Sequence, residues 1–172
     1  MFKKEMRIDD VIEFLKLCKE NDIEVILDGG WGVDALLGKQ TRMHEDLDIA
    51  LQHKYVSRLR QLLEEKGYID IPRDDTTEYN FVMGDNKGHE IDFHSYTFDS
   101  KGNNIFGVKY PLESLAGLGA INGYHVKCIS PEWMVKFHTG YTLGETDYHD
   151  VAALCEHFEI QLPYEYKKFI KT

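Results

Sequence analysis

Cysteine, proline, positive charge and long apolar runs are all scarce in this 172-residue chain. The three cysteines, Cys18, Cys128 and Cys155, stand far apart, odd in number and in no C-x-x-C spacing. That argues against a disulfide framework or a zinc ribbon and reads as buried thiols in a reducing compartment. No apolar run approaches the roughly 20 residues of a membrane span. The start, Met1-Phe2-Lys3-Lys4-Glu5, leads into Asp9-Asp10 without an apolar stretch, and the expectation is a cytoplasmic protein with no membrane partner. Lys and Arg number 20 against 30 Asp and Glu, a formal charge of −10. Nonspecific nucleic-acid binding is thereby disfavoured, because its affinity comes from neutralising phosphate, whereas a cationic ligand is suited. What is present, 42% hydrophobic and 29% charged residues, is the composition of a globular protein. At this length a chain buries roughly 70% of its unfolded surface, enough for one compact unit.

Periodicity supplies the elements. Asp9 is a candidate N-cap for a helix to about Asn21, whose Val11, Ile12, Leu15 and Cys18 form one apolar stripe. Val25-Ile26-Leu27 reads as a short buried strand that ends at Gly29-Gly30, and a helix through Val33, Leu36 and Leu37 should stop at Gly38. Asp46-Leu47-Asp48-Ile49-Ala50-Leu51 alternates as a strand does, and Tyr55 to Lys66 is helical and ends at Gly67. Strands near Tyr79–Met83 and His89–Tyr96 flank a turn at Gly84 to Gly88, and Asn122-Gly123 marks a second hairpin. Ser130-Pro131 opens a helix and another spans Asp147 to Phe158, while residues 97 to 120 resist assignment. The order of elements implies an α+β fold with a mixed sheet flanked by helices and a short helical C-terminal region. The division expected is a core of residues 1–128 and a C-terminal helical segment of residues 129–172 packed on it.

The period of two along a strand puts Asp46 and Asp48 on one face while Leu47 and Ile49 point inward. Like charges so close repel, so a chain that keeps them commonly gives them a cation to hold. Glu90, Asp92 and His94 repeat the pattern, and Asp92 is a candidate third acid. Three hard oxygen ligands suit Mg²⁺, which substrate phosphates complete. The bland alternative is a solvated acidic strand face, but Asp is depleted in strands and two in one short strand ask for a reason. Gly29-Gly30 at the end of the preceding strand, directly before a helix, would let backbone N–H groups approach a phosphate. His89 and His94 fall on opposite faces, which counts against a zinc pair.

The stretch Leu27-Asp28-Gly29-Gly30-Trp31-Gly32-Val33-Asp34-Ala35-Leu36-Leu37-Gly38, followed by Thr41-Arg42-Met43-His44-Glu45-Asp46-Leu47-Asp48-Ile49, resembles the signature of the small lincosamide nucleotidyltransferases and the related aminoglycoside 2″-nucleotidyltransferases. Phe137-His138-Thr139-Gly140-Tyr141 with Glu145-Thr146-Asp147-Tyr148-His149-Asp150 resembles the end of the short lincosamide enzymes. The resemblance implies a polymerase-β-like nucleotidyltransferase fold. One departure stands out: where the broader superfamily carries Gly-Ser, this chain carries Gly29-Gly30.

By that resemblance the reaction is transfer of AMP from ATP to a hydroxyl of a lincosamide such as lincomycin or clindamycin, releasing pyrophosphate and conferring antibiotic resistance. Asp46 and Asp48 would hold Mg²⁺ on the triphosphate, and Asp92 would share a second metal ion and act as general base on the acceptor hydroxyl. Gly29 and Gly30 would cradle phosphates. Arg42 is either a phosphate ligand or a salt-bridge partner of Glu45, and His44 either meets a phosphate, orients Asp46 or is simply a packed histidine. His94 and Tyr141 are candidates for the acceptor pocket, Trp31 for the core beneath the glycines. The second motif, His138, Tyr141, Asp147, His149 and Asp150, is expected to cap and orient the last helix. An aminoglycoside or other small hydroxyl acceptor, or a non-enzymatic antitoxin-like binding protein, are the alternatives. A homodimer would wall the acceptor cleft of so short a chain, although no feature fixes the stoichiometry.

Overall fold

In the computed structural model, which describes residues 3–170, the chain begins with helix α1 (Ile8–Glu20), whose Val11, Phe14, Leu15 and Cys18 are buried. The helix starts one residue before the expected cap. Asp10, three residues in, reaches back to accept the Arg7 backbone N–H at 3.0 Å, so Asp10 and not Asp9 satisfies this end.

Strand β1 (Ile26–Leu27) is followed at once by helix α2 (Gly29–Leu37). Asp28 caps α2 by accepting the Gly29 N–H at 2.8 Å, and Gly38 ends it in the left-handed conformation that glycine adopts without penalty. The next elements are β2 (Leu47–Gln52), α3 (Val56–Glu65) after a 3₁₀ turn, β3 (Ile69–Ile71), β4 (Asn80–Gly84) and β5 (Glu90–Phe98). Then come β6 (Asn104–Gly107), β7 (Gly117–Ile121), β8 (Tyr124–Cys128), α4 (Pro131–Phe137) and α5 (Glu145–Phe158), with a 3₁₀ turn at Tyr164–Phe169. Two strands are too short to stand out in the sequence. β3 is a three-residue edge with Asp70 at its centre, and β6 is a short partner to the far end of β5.

The sheet order is β3-β4-β5-β2-β1-β8-β7, with β6 on β5. Pairing is mixed: β2 runs parallel to β5 and antiparallel to β1, and β1 runs parallel to β8. The register sets Asp48 opposite Asp92 and Ala50 opposite His94. On the other face Leu47, Ile49, Leu51, Ile91 and Phe93 are fully buried, and Phe93 stacks on Phe81 at 4.5 Å between centroids. Each such side chain contributes roughly 1.5–3 kcal/mol by leaving water, so a one-residue slip of β2 would bury the acids and expose this set. The register of the acids is therefore fixed by the apolar residues between them. One hydrophobic core runs on from these strands to Met134, Val135, Val151 and Leu154 of α4 and α5. All three cysteines are buried and free, and burial pushes the Cys18 and Cys128 thiols up to about 12. No helix of the described residues is long and apolar enough to cross a membrane.

Candidate active site

Asp48 on β2 and Asp92 and His94 on β5 each place a ligand atom within 4.8 Å of the other two. Nε2 of His94 lies 3.6 Å from Asp48 Oδ1 and 3.7 Å from Asp92 Oδ1, between the two carboxylates. Burial alone would lower the pKa of this imidazole, but Asp48 and Asp92, with Asp28 behind them, carry it up to about 9. Burial and the charge of Asp48 push Asp92 up to about 6 against the pull of His94 and Arg73.

Asp46 lies just before β2 and stands outside this close set. It still feels the same field. Burial first, then Asp48 and Asp92, raise its carboxyl to about 6. Asp48 and Asp92 thus hold a single histidine between them, with Asp46 near enough to feel both, an excess of negative charge that calls for a cation. Their donors are hard carboxylate oxygens, which fit Mg²⁺; the imidazolium of His94 supplies positive charge where an ion would.

The diglycine is explained by what comes against it. Gly29 has φ +54, and a Cβ there would overlap the Asp48 carboxylate; a Cβ on Gly30 would overlap the His44 ring and the Arg42 guanidinium. A serine side chain at position 30 would meet the same two groups, which accounts for the departure from Gly-Ser. The first-turn N–H groups of Gly30 and Trp31 have no helix carbonyl to donate to, as at the start of any helix.

Arg42 does not pair with Glu45. It is held by Asp150 of α5 through two hydrogen bonds, Nε to Oδ1 at 2.9 Å and Nη2 to Oδ2 at 2.7 Å. His44 is buried and meets Asp34, not Asp46, with Nε2 at 2.5 Å from Oδ2. Asp34 also accepts the Thr41 N–H and hydroxyl, and Thr41 Oγ1 lies 3.1 Å from His149 Nε2. The two sequence motifs are thereby locked together across α2. Trp31 is buried beneath the turn with its ring 4.6 Å from that of His44, and its Nε1–H has no partner. Tyr141 is half-exposed and donates its hydroxyl to Asp147 at 2.7 Å, while Asp147 also accepts the Gly144 N–H at the start of α5. His138 donates its Nδ1–H to the Met134 carbonyl at 2.7 Å. His89 pairs with Asp85 at 2.8 Å, away from His94.

Three participants were not among the candidate site residues, although Asp28 lies inside the glycine motif. Arg73, in the turn after β3, reaches Asp92 at 3.6 Å and donates to the buried Glu90 at 2.8 Å, which Lys4 also meets at 2.6 Å. Asp28 donates its own N–H to the Asp48 carbonyl at 3.0 Å. Tyr110, buried in the stretch that resisted assignment, donates its hydroxyl to Asp28 Oδ2 at 2.8 Å. The signal available for Asp28 was its place as the residue before a diglycine helix start; Arg73 and Tyr110 had none.

A mixed sheet with paired carboxylates on adjacent strands, faced by a helix that opens on glycine, defines a nucleotidyltransferase. Solved structures agree. The lincomycin-bound lincosamide antibiotic adenylyltransferase LnuA superposes with a TM-score of 0.77 at 26% identity, over 91% of this chain and 99% of that one. ANT(2″)-Ia in complex with adenylyl-2″-tobramycin shares the fold, with a TM-score of 0.71 at 20% identity over 88% of each chain. A lincosamide resistance protein of Staphylococcus haemolyticus is 31% identical over 155 residues, 84% of this chain and 92% of its own length. The model of the aminoglycoside-2″-adenylyltransferase family matches residues 10–154. The chain belongs to this family, and lincosamide nucleotidyltransferases are among its relatives.

Proposed function

We propose that this protein transfers AMP from ATP to a hydroxyl of a lincosamide antibiotic, releases pyrophosphate and so confers resistance. The observation that carries the reading is Asp48 facing Asp92 across β2 and β5 beside the glycine start of α2. Attack at the α-phosphorus needs the acceptor oxygen and the leaving pyrophosphate in line, with the developing charge neutralised. Asp46, Asp48 and Asp92 would hold Mg²⁺, which when bound neutralises triphosphate charge and lowers the pKa of a bound hydroxyl.

The chain's own groups do the rest. Asp92, raised to about 6 by its burial, is suited to accept the acceptor's proton near neutral pH. Gly29 and Gly30 leave room for phosphate oxygens at the first turn of α2, where backbone donors and the helix dipole favour negative charge. Arg42 presents its guanidinium beside Gly30 while Asp150 fixes its plane, and His44 backs the same turn from its pair with Asp34. His94 serves as the exchangeable cation between the acids. A donor of this kind is at hand in the cytoplasm, where we place the protein.

Incubation with Mg²⁺, ATP and a panel of lincomycin, clindamycin and tobramycin, followed by mass spectrometry of the products, tests the assignment. A mass gain of one adenylyl group on the lincosamides supports it. Modification of tobramycin alone moves the acceptor to the aminoglycosides, and absence of any adenylylated product removes the transferase reading.

A further inference from the structure

An open cavity of about 320 Å³ is lined by Asp28, Val108, Lys109, Tyr110 and Phe137. It lies between the end of β1, the strand-like segment after β6 and the end of α4. Its floor is close to the proposed reacting centre, because Asp28 precedes the glycine that sits against the Asp48 carboxylate, and the charge of Asp28 also reaches His94.

We infer that this cavity is the acceptor subsite and that it takes the lipophilic, amine-bearing ring of the lincosamide, with Asp28 as the counter-ion of its ammonium and the faces of Tyr110 and Phe137 as its walls. The inference rests on the function proposed above and adds where the acceptor lies and what discriminates it. Chemistry favours this occupant. The two oxygens of Asp28 are oriented by the Gly29 N–H and the Tyr110 hydroxyl, and each retains a lone pair for a third donor. Tyr110 and Phe137 stand edge to face at 5.8 Å, and Phe137 is backed by Trp133 at 5.6 Å, so the aromatic wall is braced. A carboxylate flanked by aromatic rings suits an alkylated ammonium, which is weakly hydrated and attracted to the ring faces. Asp28 is the one carboxylate of the lining and can answer one ammonium, and Lys109 at the exposed rim disfavours further positive charge, so a polyammonium acceptor would leave most of its charges unpaired there.

Asp28→Asn tests the charge with the least disturbance, because asparagine caps a helix as well as aspartate does and still accepts from Gly29 and Tyr110. Phe137→Ala tests the wall, with Phe137→Leu as the volume-conserving form should the alanine variant melt near the assay temperature. At saturating Mg²⁺ and ATP, both changes should raise the KM for lincomycin about tenfold or more, while the KM for ATP moves less than twofold. An N-demethylated lincosamide acylated on its ring nitrogen, and so uncharged, should be used about tenfold less well by the wild type, with no further loss in Asp28→Asn. An unchanged lincomycin KM in both variants, with the wild type active, overturns the subsite alone. Equal rises in both KM values overturn it too, since they report a disturbed α2. Failure of the wild type to adenylylate any lincosamide overturns the functional reading, and the subsite with it.

Discussion

Two groups of acids flank the start of α2, and they have opposite electrostatic fates. On one side Asp34 and Asp150 are nearly dry, and each is matched to a cation of the chain: His44 for Asp34, Arg42 for Asp150. On the other side Asp46, Asp48 and Asp92 crowd one another, with His94 between the last two and Arg73 divided between Asp92 and Glu90. A buried acid with its partner in place is a fastener: its charge is already answered and its removal is felt as lost stability. An acid cluster with too few partners stores repulsion that an external cation relieves, and that is where chemistry is to be found. The same residue type thus serves two ends, and the count of partners separates them.

The largest break in this contrast comes from the unmatched side. Asp48→Asn or Asp92→Asn should lower the rate of adenylyl transfer by about a thousandfold or more, because each would remove a proposed metal ligand and with it several kcal/mol of charge stabilisation in the transition state. Folding stability should hold or rise slightly, since a repulsion has been removed. Rates by product mass spectrometry and unfolding in urea check the pair; a variant that melts early yet keeps its rate would reverse the roles assigned to the two clusters.

The matched side should behave the other way. Asp150→Ala strands the Arg42 guanidinium, and the loss of two charge-assisted hydrogen bonds at a half-buried site should cost about 2 kcal/mol in stability. The double change Arg42→Met with Asp150→Leu should recover most of that stability, as apolar replacements of such pairs often do. If Arg42 also faces phosphate, as proposed, the double variant stays slow despite being stable. Full activity in it would confine Arg42 to a fastening role.

How much of this was legible in the sequence follows the same division. The strand acids could be placed because a period of two forces Asp48 and Asp92 away from Leu47, Ile49, Ile91 and Phe93, and the glycine pair and Gly38 punctuate α2 as their backbone demands. The partners could not. Arg42 and Asp150 lie 108 residues apart, and nothing local tells an arginine which acid it will meet. Arg73 and Tyr110 are isolated residues in irregular stretches, brought in by the pairing of β3 and by the return of the chain after β6. The double glycine was visible as a departure from Gly-Ser, but its reason, the crowding of His44 and Arg42 against position 30, required the fold. That reason is itself open to test: Gly30→Ser should cost about 1–3 kcal/mol from overpacking and slow the reaction by displacing one of the two neighbours. A serine accepted with unchanged stability would mean that Arg42 and His44 are free to move aside.

Tyr141 gives the smallest expected effect and the finest test of the contrast, because it was a candidate for the acceptor pocket yet lies among the fastening groups. Its hydroxyl is spent on Asp147, which in turn accepts the backbone N–H that opens α5, and half of the residue faces solvent. Removing that hydroxyl in Tyr141→Phe leaves the Asp147 cap in place and costs one exposed hydrogen bond, about 0.5 kcal/mol. The KM for lincomycin should stay within twofold, since Tyr141 is not among the residues that line the cavity at Phe137 and Tyr110 inferred to take the acceptor. A severalfold rise in that KM, with the unfolding midpoint unchanged, would carry Tyr141 across to the acceptor side and show that α5 does more than hold Arg42 in place.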